Sequence, residues 1–205
     1  MKIFRSDQIK QIDESTIKEE PVASIDLMER AAGKLLRWFT SKYSRSHKVF
    51  IFAGPGNNGG DGLALARLLD NERYKTEVYY VDFTDKTSDD WKQNLLRLTT
   101  ETTVAVNYIT SGDHFPLLTD QDIIVDAIFG SGLTRRVDGL AGEIIKLINQ
   151  AEAEIISIDI PSGLFGEDNS QNDPRQLCRP ITRLVFSSRS FHSCFPRMPV
   201  TLVSG

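Results

Sequence analysis

Short, continuously apolar runs alternate along the chain with longer segments in which apolar residues recur every three or four positions. The runs predict strands at 49–53, 76–81, 104–106, 123–127 and 155–159, because buried parallel strands are apolar on both faces. The helical spacing predicts helices from Ser6 through Ile9, Ile12 and Ile17, and at 62–69, 89–98 and 142–149. It also predicts a helix from Leu27 through Phe39 that Ser24 and Asp26 can open. Strands alternating with helices at this spacing predict an α/β fold with a parallel sheet covered on both faces.

Three of the predicted strands end in unusual polar and glycine-rich segments, at 54–61, 126–134 and 159–163. The carboxyl ends of parallel strands meet at one edge of a sheet, and ligands of open α/β sheets bind there. We therefore expect these three segments to form one site.

The first of these segments, Gly-Pro-Gly-Asn-Asn-Gly-Gly-Asp-Gly at 54–62, lies between a strand and a helix. Its G-x-G-x-x-G spacing, followed by Asp82 after the next strand, is typical of a dinucleotide-binding turn. A tight turn with no ligand is the simpler alternative. Neither interpretation explains Asn57, Asn58 and Asp61, since a pyrophosphate cradle needs only backbone N–H groups.

The other two segments add oxygen-bearing side chains. Asp126 ends a buried strand, where a carboxylate can act as a general base, hold a cation or cap a turn. Asn58, Asp126 and Ser162 form an all-oxygen set, which suits a hard cation better than zinc or copper. The three histidines and two cysteines lie away from the strand ends, so serine–histidine hydrolysis has no support.

Composition narrows the possible partners and locations. No apolar run approaches the roughly 20 residues needed to span a bilayer, and the first residues lack an apolar signal core, so we expect a cytoplasmic protein. The net charge of −4 combines +5 in residues 175–205, which contain five arginines, with −9 in residues 1–174. A body this acidic predicts no binding to nucleic acid or to a membrane surface.

The motifs at the strand ends resemble those of the NAD(P)H-hydrate epimerases, the YjeF N-terminal family. The resemblance rests on Gly-Pro-Gly-Asn-Asn-Gly-Gly-Asp-Gly at 54–62, Val-Asp-Ala-Ile-Phe-Gly-Ser-Gly-Leu at 125–133 and Ile-Asp-Ile-Pro-Ser-Gly at 158–163. Leu-Met-Glu-Arg-Ala-Ala at 27–32 is similar to a fourth family feature. The resemblance implies a three-layer Rossmann-like fold with a mostly parallel sheet and N-terminal helices.

The resemblance also implies an activity and a set of site residues. Family members interconvert the R and S epimers of hydrated NADH and NADPH, NAD(P)HX, at C6 of the nicotinamide ring, which is a metabolite-repair reaction. Asp126 would be catalytic, and Asn58, Asp126 and Ser162 would bind a potassium ion. The residues that would bind the substrate are Asn57, Asn58, Gly59, Gly60, Asp61, Gly130, Ser131, Gly132, Leu133, Thr134, Arg135, Arg136 and Asp159.

The sequence also bears on the partners of the protein and on alternative functions. The resemblance implies a homodimer, with a dehydratase domain or protein as functional partner. The alternatives are an NAD-dependent oxidoreductase and a non-catalytic nucleotide-binding or interaction module. The oxidoreductase would need a hydride-transfer partner such as Tyr-x-x-x-Lys or a placed histidine, and the sequence offers none.

The resemblance covers residues 1–174, which we predict to be the epimerase domain. Residues 175–205 lack the expected family strand and instead contain serines and arginines in no regular pattern. Regrouping possible codons by one base restores family-like residues, so we predict a frameshift in this tail; a diverged basic segment is the alternative. Such a tail would leave the preceding strand with an exposed edge.

Overall fold

The protein forms a six-stranded parallel sheet with helices on both faces. The structure is a computed structural model that describes residues 23–165, 169 and 176–180 and the backbone of 182–184. The helices are α1 (Ser24–Lys42), α2 (Asn57–Asn71), α3 (Asp89–Glu101) and α4 (Gly139–Gln150), with a 3-10 turn at Gly112–His114. The strands are β1 (Lys48–Ala53), β2 (Lys75–Val81), β3 (Ala105–Ile109), β4 (Ile123–Ala127), β5 (Glu154–Ile158) and β6 (Thr182–Leu184).

The strand order is β3-β2-β1-β4-β5-β6, and every pair of neighbours is parallel. The order reverses direction between β1 and β4, so a crevice opens beyond their carboxyl ends. The predicted α/β fold with a parallel sheet is confirmed. The predicted helix that starts at Ser6 lies outside the described residues.

Alternation along the strands divides the core in two. Val49 and Ile51 of β1 pack in a cluster with side chains of α1, α2 and α3. Phe50 and Phe52 point to the opposite face, where they join side chains of α4. The strands are therefore buried on both faces, which is why their sequences are continuously apolar.

Helix α2 begins at Asn57, five residues before the predicted start at Gly62. Glycines disfavour helix by about 1 kcal/mol each relative to alanine, so the sequence pattern predicted a loop here. Close packing overrides that preference. A Cβ on Gly59 would lie 1.8 Å from the Gly54 carbonyl oxygen, and one on Gly62 would lie 2.8 Å from the Ala127 Cβ. The glycines thus let α2 approach the sheet.

Smaller differences concern the other boundaries. Helix α4 starts at Gly139 and not at Gly142, and β3 lies at Ala105–Ile109 where 104–106 was predicted. Helix α1 begins at Ser24, whose hydroxyl donates to Asp90 Oδ2 of α3 at 2.6 Å.

The chain returns to the sheet after residue 175. Strand β6 pairs with β5 in parallel, from Ile156 beside Thr182 to Ile158 beside Leu184. The expectation that β5 would have an exposed edge there is wrong over these residues. Asn149 of α4 holds the preceding segment, because its side chain donates to Leu177 O and accepts from Arg179 N, at 2.7 and 2.8 Å.

Candidate functional site

Three loops meet where the strand order reverses, after β1, β4 and β5. The Gly54 amide donates to the Ala127 carbonyl at 3.0 Å, and a Cβ on Gly54 would lie 2.0 Å from the Ile128 carbonyl oxygen. Only glycine permits this contact between the loops after β1 and β4. The expectation that the strand-end segments form one site agrees with this arrangement.

Asn58 and Asp61 occupy the first turns of α2 and are both buried. Asn58 is only 9% exposed, so water does not replace missing partners. Among the residues that the structure describes, neither Oδ1 nor Nδ2 of Asn58 has a hydrogen-bond partner. A buried amide without partners costs about 1–3 kcal/mol. Asn58 therefore has unused capacity to bind a ligand inside the site.

The Asp126 carboxylate is completely buried and accepts four hydrogen bonds. Its Oδ1 accepts from the Ser162 hydroxyl at 2.5 Å and from Ile128 N at 3.3 Å. Its Oδ2 accepts from the Ser157 hydroxyl at 2.8 Å and from Ser162 N at 2.9 Å. Since a carboxylate offers about four lone-pair positions, these donors use them all.

Ser162 connects Asp126 to the loop after β4. Besides donating to Asp126, its hydroxyl accepts from Phe129 N at 2.9 Å. The turn that follows needs a glycine, because Gly163 has a φ of +97° and its Cβ would lie 2.1 Å from the Gln176 carbonyl oxygen.

Asp159 follows β5 in the left-handed region, with a φ of +65°. Its Oδ2 accepts from Ser131 N at 2.7 Å. A Cβ on Gly130 would lie 2.8 Å from that oxygen and 3.3 Å from the Asn58 Cβ. Gly130 therefore lies between Asn58 and Asp159, so a side chain of α2 and one that follows β5 lie on either side of the loop after β4.

A family model described as "YjeF-related protein N-terminus" matches residues 24–182. The chain belongs to this family. The resemblance predicted from the sequence is thereby confirmed. The match extends past the predicted domain boundary at residue 174, and the boundary itself stays a prediction.

Relatives in this family carry related names. An "NAD(P)H-hydrate epimerase" from Anaerococcus prevotii is 39% identical over 171 residues, which are 82% of this chain and 77% of that protein. A "Bifunctional NAD(P)H-hydrate repair enzyme Nnr" from Dictyoglomus turgidum is 38% identical over 80% of this chain. The chain spans about a third of the bifunctional relatives, 32% of each of two such proteins.

A solved structure shares the fold. The crystal structure of yeast ynu0, YNL200c, has a TM-score of 0.72 and is 28% identical, covering 90% of this chain and 80% of the yeast chain. The Rossmann-like architecture predicted from the resemblance is thus confirmed for this member of the YjeF-related family.

The remaining predicted substrate residues of this family member have different degrees of exposure. Gly59 and Gly60 are buried in α2, whereas Asn57 is exposed at its first turn. In the loop between β4 and α4, Gly132, Thr134, Arg135 and Arg136 are exposed, and Leu133 packs partly against the core beside α4. Their contact with a substrate stays a prediction.

Two residues near Asp126 were missed by the sequence reasoning. Ser157 donates to Asp126, and burial raises the pKa of the nearby Cys178 thiol, with the negative charge of Asp126 raising it further. The signal for Ser157 was a lone polar residue in an apolar strand. The sequence around Cys178 carries no such signal. Cys178 lies near the site because its amide donates to the Ser162 carbonyl at 2.8 Å, a contact with a different segment of the chain.

The described residues also show where two of the histidines lie, and whether any metal-ligand cluster or membrane-spanning helix is present among them. The side chain of His47 contacts the Gln121 carbonyl and that of His114 contacts Thr110, both on the surface. Within the described ranges, no three His, Cys, Asp or Glu side chains are grouped so as to hold a metal ion. No helix in those ranges is long and apolar enough to cross a membrane.

Proposed function

We propose that this chain interconverts the R and S epimers of hydrated NADH and NADPH at C6 of the nicotinamide ring, as an isomerase of metabolite repair. The observation that carries the proposal is that the segments bearing Asn58, Asp126 and Asp159 lie together at the strand-order reversal of a chain 39% identical to a named NAD(P)H-hydrate epimerase.

The substrate chemistry sets what the residues have to do. At C6 the hydroxyl and the ring nitrogen share one carbon, so the C–O bond can break when the nitrogen lone pair forms a planar C=N⁺ cation. The hydroxyl takes up a proton and leaves as water. Water then adds to the other face and loses a proton, which gives the opposite epimer with no net oxidation. A site for this reaction must stabilise a positive charge and hold water.

Asp126 is suited to stabilise that cation. Its carboxylate is held by four donors in a site without solvent contact, where a fixed charge acts more strongly than it does in water. To carry a proton, the carboxylate would first have to lose a hydrogen bond. The four hydrogen bonds therefore support a role for Asp126 as a fixed negative charge more than a role as a proton carrier.

The residues proposed for potassium fit a hard cation in part. Asn58 supplies a buried amide oxygen without a partner in the described structure, and Ser162 and Asp126 supply two further oxygen-bearing groups. The hydrogen bond from Ile128 N, at 3.3 Å, is the longest that Asp126 accepts, so it is the one that a cation would most easily replace. Asn58, Asp126 and Ser162 would hold the ion, and a potassium ion bound there would polarise the leaving oxygen.

Asp159 and the partly exposed loop at 130–136 would bind the rest of the dinucleotide. The Asp159 carboxylate is partly exposed and can accept from a ribose hydroxyl while keeping its bond to Ser131 N. Arg135 and Arg136 are exposed and can approach phosphate groups. These contacts would orient the nicotinamide ring.

The partners follow from the same proposal. We expect a homodimer, and a dehydratase domain or a separate dehydratase that acts on the same hydrated cofactor. The bifunctional names of the Dictyoglomus turgidum and Thermofilum pendens relatives support a linked second activity. A cytoplasmic location stays a prediction.

Epimerisation of acid-hydrated NADPH tests the proposal. One epimer is purified by chromatography, and its conversion to the other is followed with and without protein. We expect wild type to accelerate the conversion, and Asp126→Asn to reduce kcat by about 100-fold or more, since charge stabilisation of this kind contributes about that much. Asp120→Asn, at an exposed position on the opposite edge of the sheet, is the matched control.

Thermal unfolding of the same proteins shows whether Asp126→Asn remains folded. Near-normal turnover by a folded Asp126→Asn would rule out the catalytic role of Asp126. A wild-type protein that binds the hydrate without accelerating the conversion would instead support a non-catalytic module, and net change in cofactor absorbance would support an oxidoreductase.

A further inference from the structure

Ser157 lies beside Asp126 in the sheet. The two residues are partners in the β4–β5 register, and the Ser157 hydroxyl donates to Asp126 Oδ2 at 2.8 Å. Both residues have no exposed surface. The contact therefore exists without competition from water.

The strand gives no packing reason for a hydroxyl at this position. On either side of Ser157, Ile156 and Ile158 point into the core beside α1–α3, while Ile155 points into the opposite core with Ser157. Burying a hydroxyl is unfavourable unless it forms a hydrogen bond. An apolar residue would fill this position at lower cost, whereas the hydroxyl contacts the Asp126 carboxylate and the neighbouring Cys178 thiol.

The hydroxyl also restrains the orientation of the carboxylate. Oδ2 has two donors, Ser157 and the Ser162 amide, and Oδ1 has the Ser162 hydroxyl and Ile128 N. Ser157 is the donor that comes from a neighbouring strand, whereas the others lie in loops. Without it, Oδ2 keeps one donor and the carboxylate can rotate away from its present plane.

We propose that Ser157 is a positioning residue for the epimerisation, holding the Asp126 carboxylate in the orientation that stabilises the planar intermediate. The inference rests on the proposed function. It assigns Ser157 no contact with the substrate, so its removal should lower kcat and leave KM nearly unchanged.

Ser157→Thr and Ser157→Val provide the test, because threonine and valine have nearly the same shape and differ in the hydroxyl. We expect Ser157→Val to lower kcat about tenfold or more with KM within about twofold, since the variant lacks a hydrogen bond to a charged group. We expect Ser157→Thr to remain within about threefold of wild type. Thr76→Val, which removes a buried hydroxyl from β2, is the control and should change neither constant.

The outcomes separate this inference from the proposed function. If wild type does not accelerate epimerisation, the proposed function fails. If wild type is active and Ser157→Val turns over as fast as Ser157→Thr, the positioning role is wrong, and an equal rise in KM for both variants also overturns it. If the β-branched variants do not fold, Ser157→Ala replaces them: a kcat loss of about tenfold with unchanged KM supports the role, and wild-type kcat refutes it.

Discussion

Gly130 separates two side chains of the proposed substrate site, and Gly130→Ala tests whether their placement matters. An added Cβ would lie 2.8 Å from Asp159 Oδ2, whereas ordinary contacts begin near 3.4 Å. The obstructing atom is the end of a side chain, so the fold can absorb the change when the carboxylate moves by about 0.6 Å. The backbone at Gly130 is not in the left-handed region, so alanine introduces no backbone strain.

The size of the effect follows from the bond that is disturbed. Moving the Asp159 carboxylate stretches its 2.7 Å hydrogen bond from Ser131 N. Such a bond to a charged group is worth about 1.5–3 kcal/mol when buried, and water replaces part of it because Asp159 is half-buried. We expect the free energy of unfolding to fall by about 1 kcal/mol. Because the moved carboxylate can no longer accept from a ribose hydroxyl, KM should rise about tenfold, which corresponds to about 1.4 kcal/mol.

Two other glycines frame the experiment. Gly33→Ala, in α1 and outside the proposed site, meets no atom within 4 Å and should leave KM and kcat near wild type. Gly59→Ala places its Cβ 1.8 Å from the Gly54 carbonyl oxygen, a backbone atom that cannot move aside, and should prevent folding. KM and kcat are measured for the variants that fold, and thermal unfolding for all three. A KM for Gly130→Ala equal to that of Gly33→Ala would refute the argument that Asp159 binds the substrate.

Two further predictions concern buried groups of the same site. Potassium should raise the melting temperature of wild type more than sodium does, and it should not change the melting temperature of Asn58→Leu. Without potassium, Asn58→Leu should be at least as stable as wild type, because the buried amide without a partner among the described residues is gone. An equal response of both proteins to potassium would exclude Asn58 as a ligand. In a Cys194→Ser variant, Cys178 should react with a thiol reagent about 100-fold more slowly in the folded than in the denatured protein. The reason is that Cys178 is 3% exposed and that burial raises the pKa of its thiol. Rapid labelling of the native protein would contradict this burial.

The strands were predictable because each is a local apolar run, and their parallel pairing follows from the connecting helices. The start of α2 was not predictable. Its glycines disfavour helix locally, and the contacts that favour it, with Gly54 and Ala127, join distant parts of the chain. The same long-range dependence explains why the return of the chain to the sheet at β6 could not be predicted from the sequence.

The main residues of the site were predictable from one rule, that polar residues at the ends of parallel strands meet. Asn58, Asp126 and Asp159 follow that rule. Ser157 holds the same place in β5 as Asp126 does in β4, one residue before the end of the strand, and Cys178 lies farther along the chain, so their contacts depend on strand register and on the path after β5. Register between two particular strands leaves no mark in the sequence of either strand.

The hydrogen bonds of Asp126 bear on the roles that its sequence position left open. A carboxylate at a strand end can be a base, a cation ligand or a turn cap, and residue type does not distinguish them. In the structure Asp126 accepts from Ile128 N two residues later, as a turn cap does, and from three further donors, while both hydrogen-bonding atoms of Asn58 have no partner among the described residues. Cation affinity should therefore depend most on Asn58, and the rate of epimerisation on the donors that hold Asp126 in place.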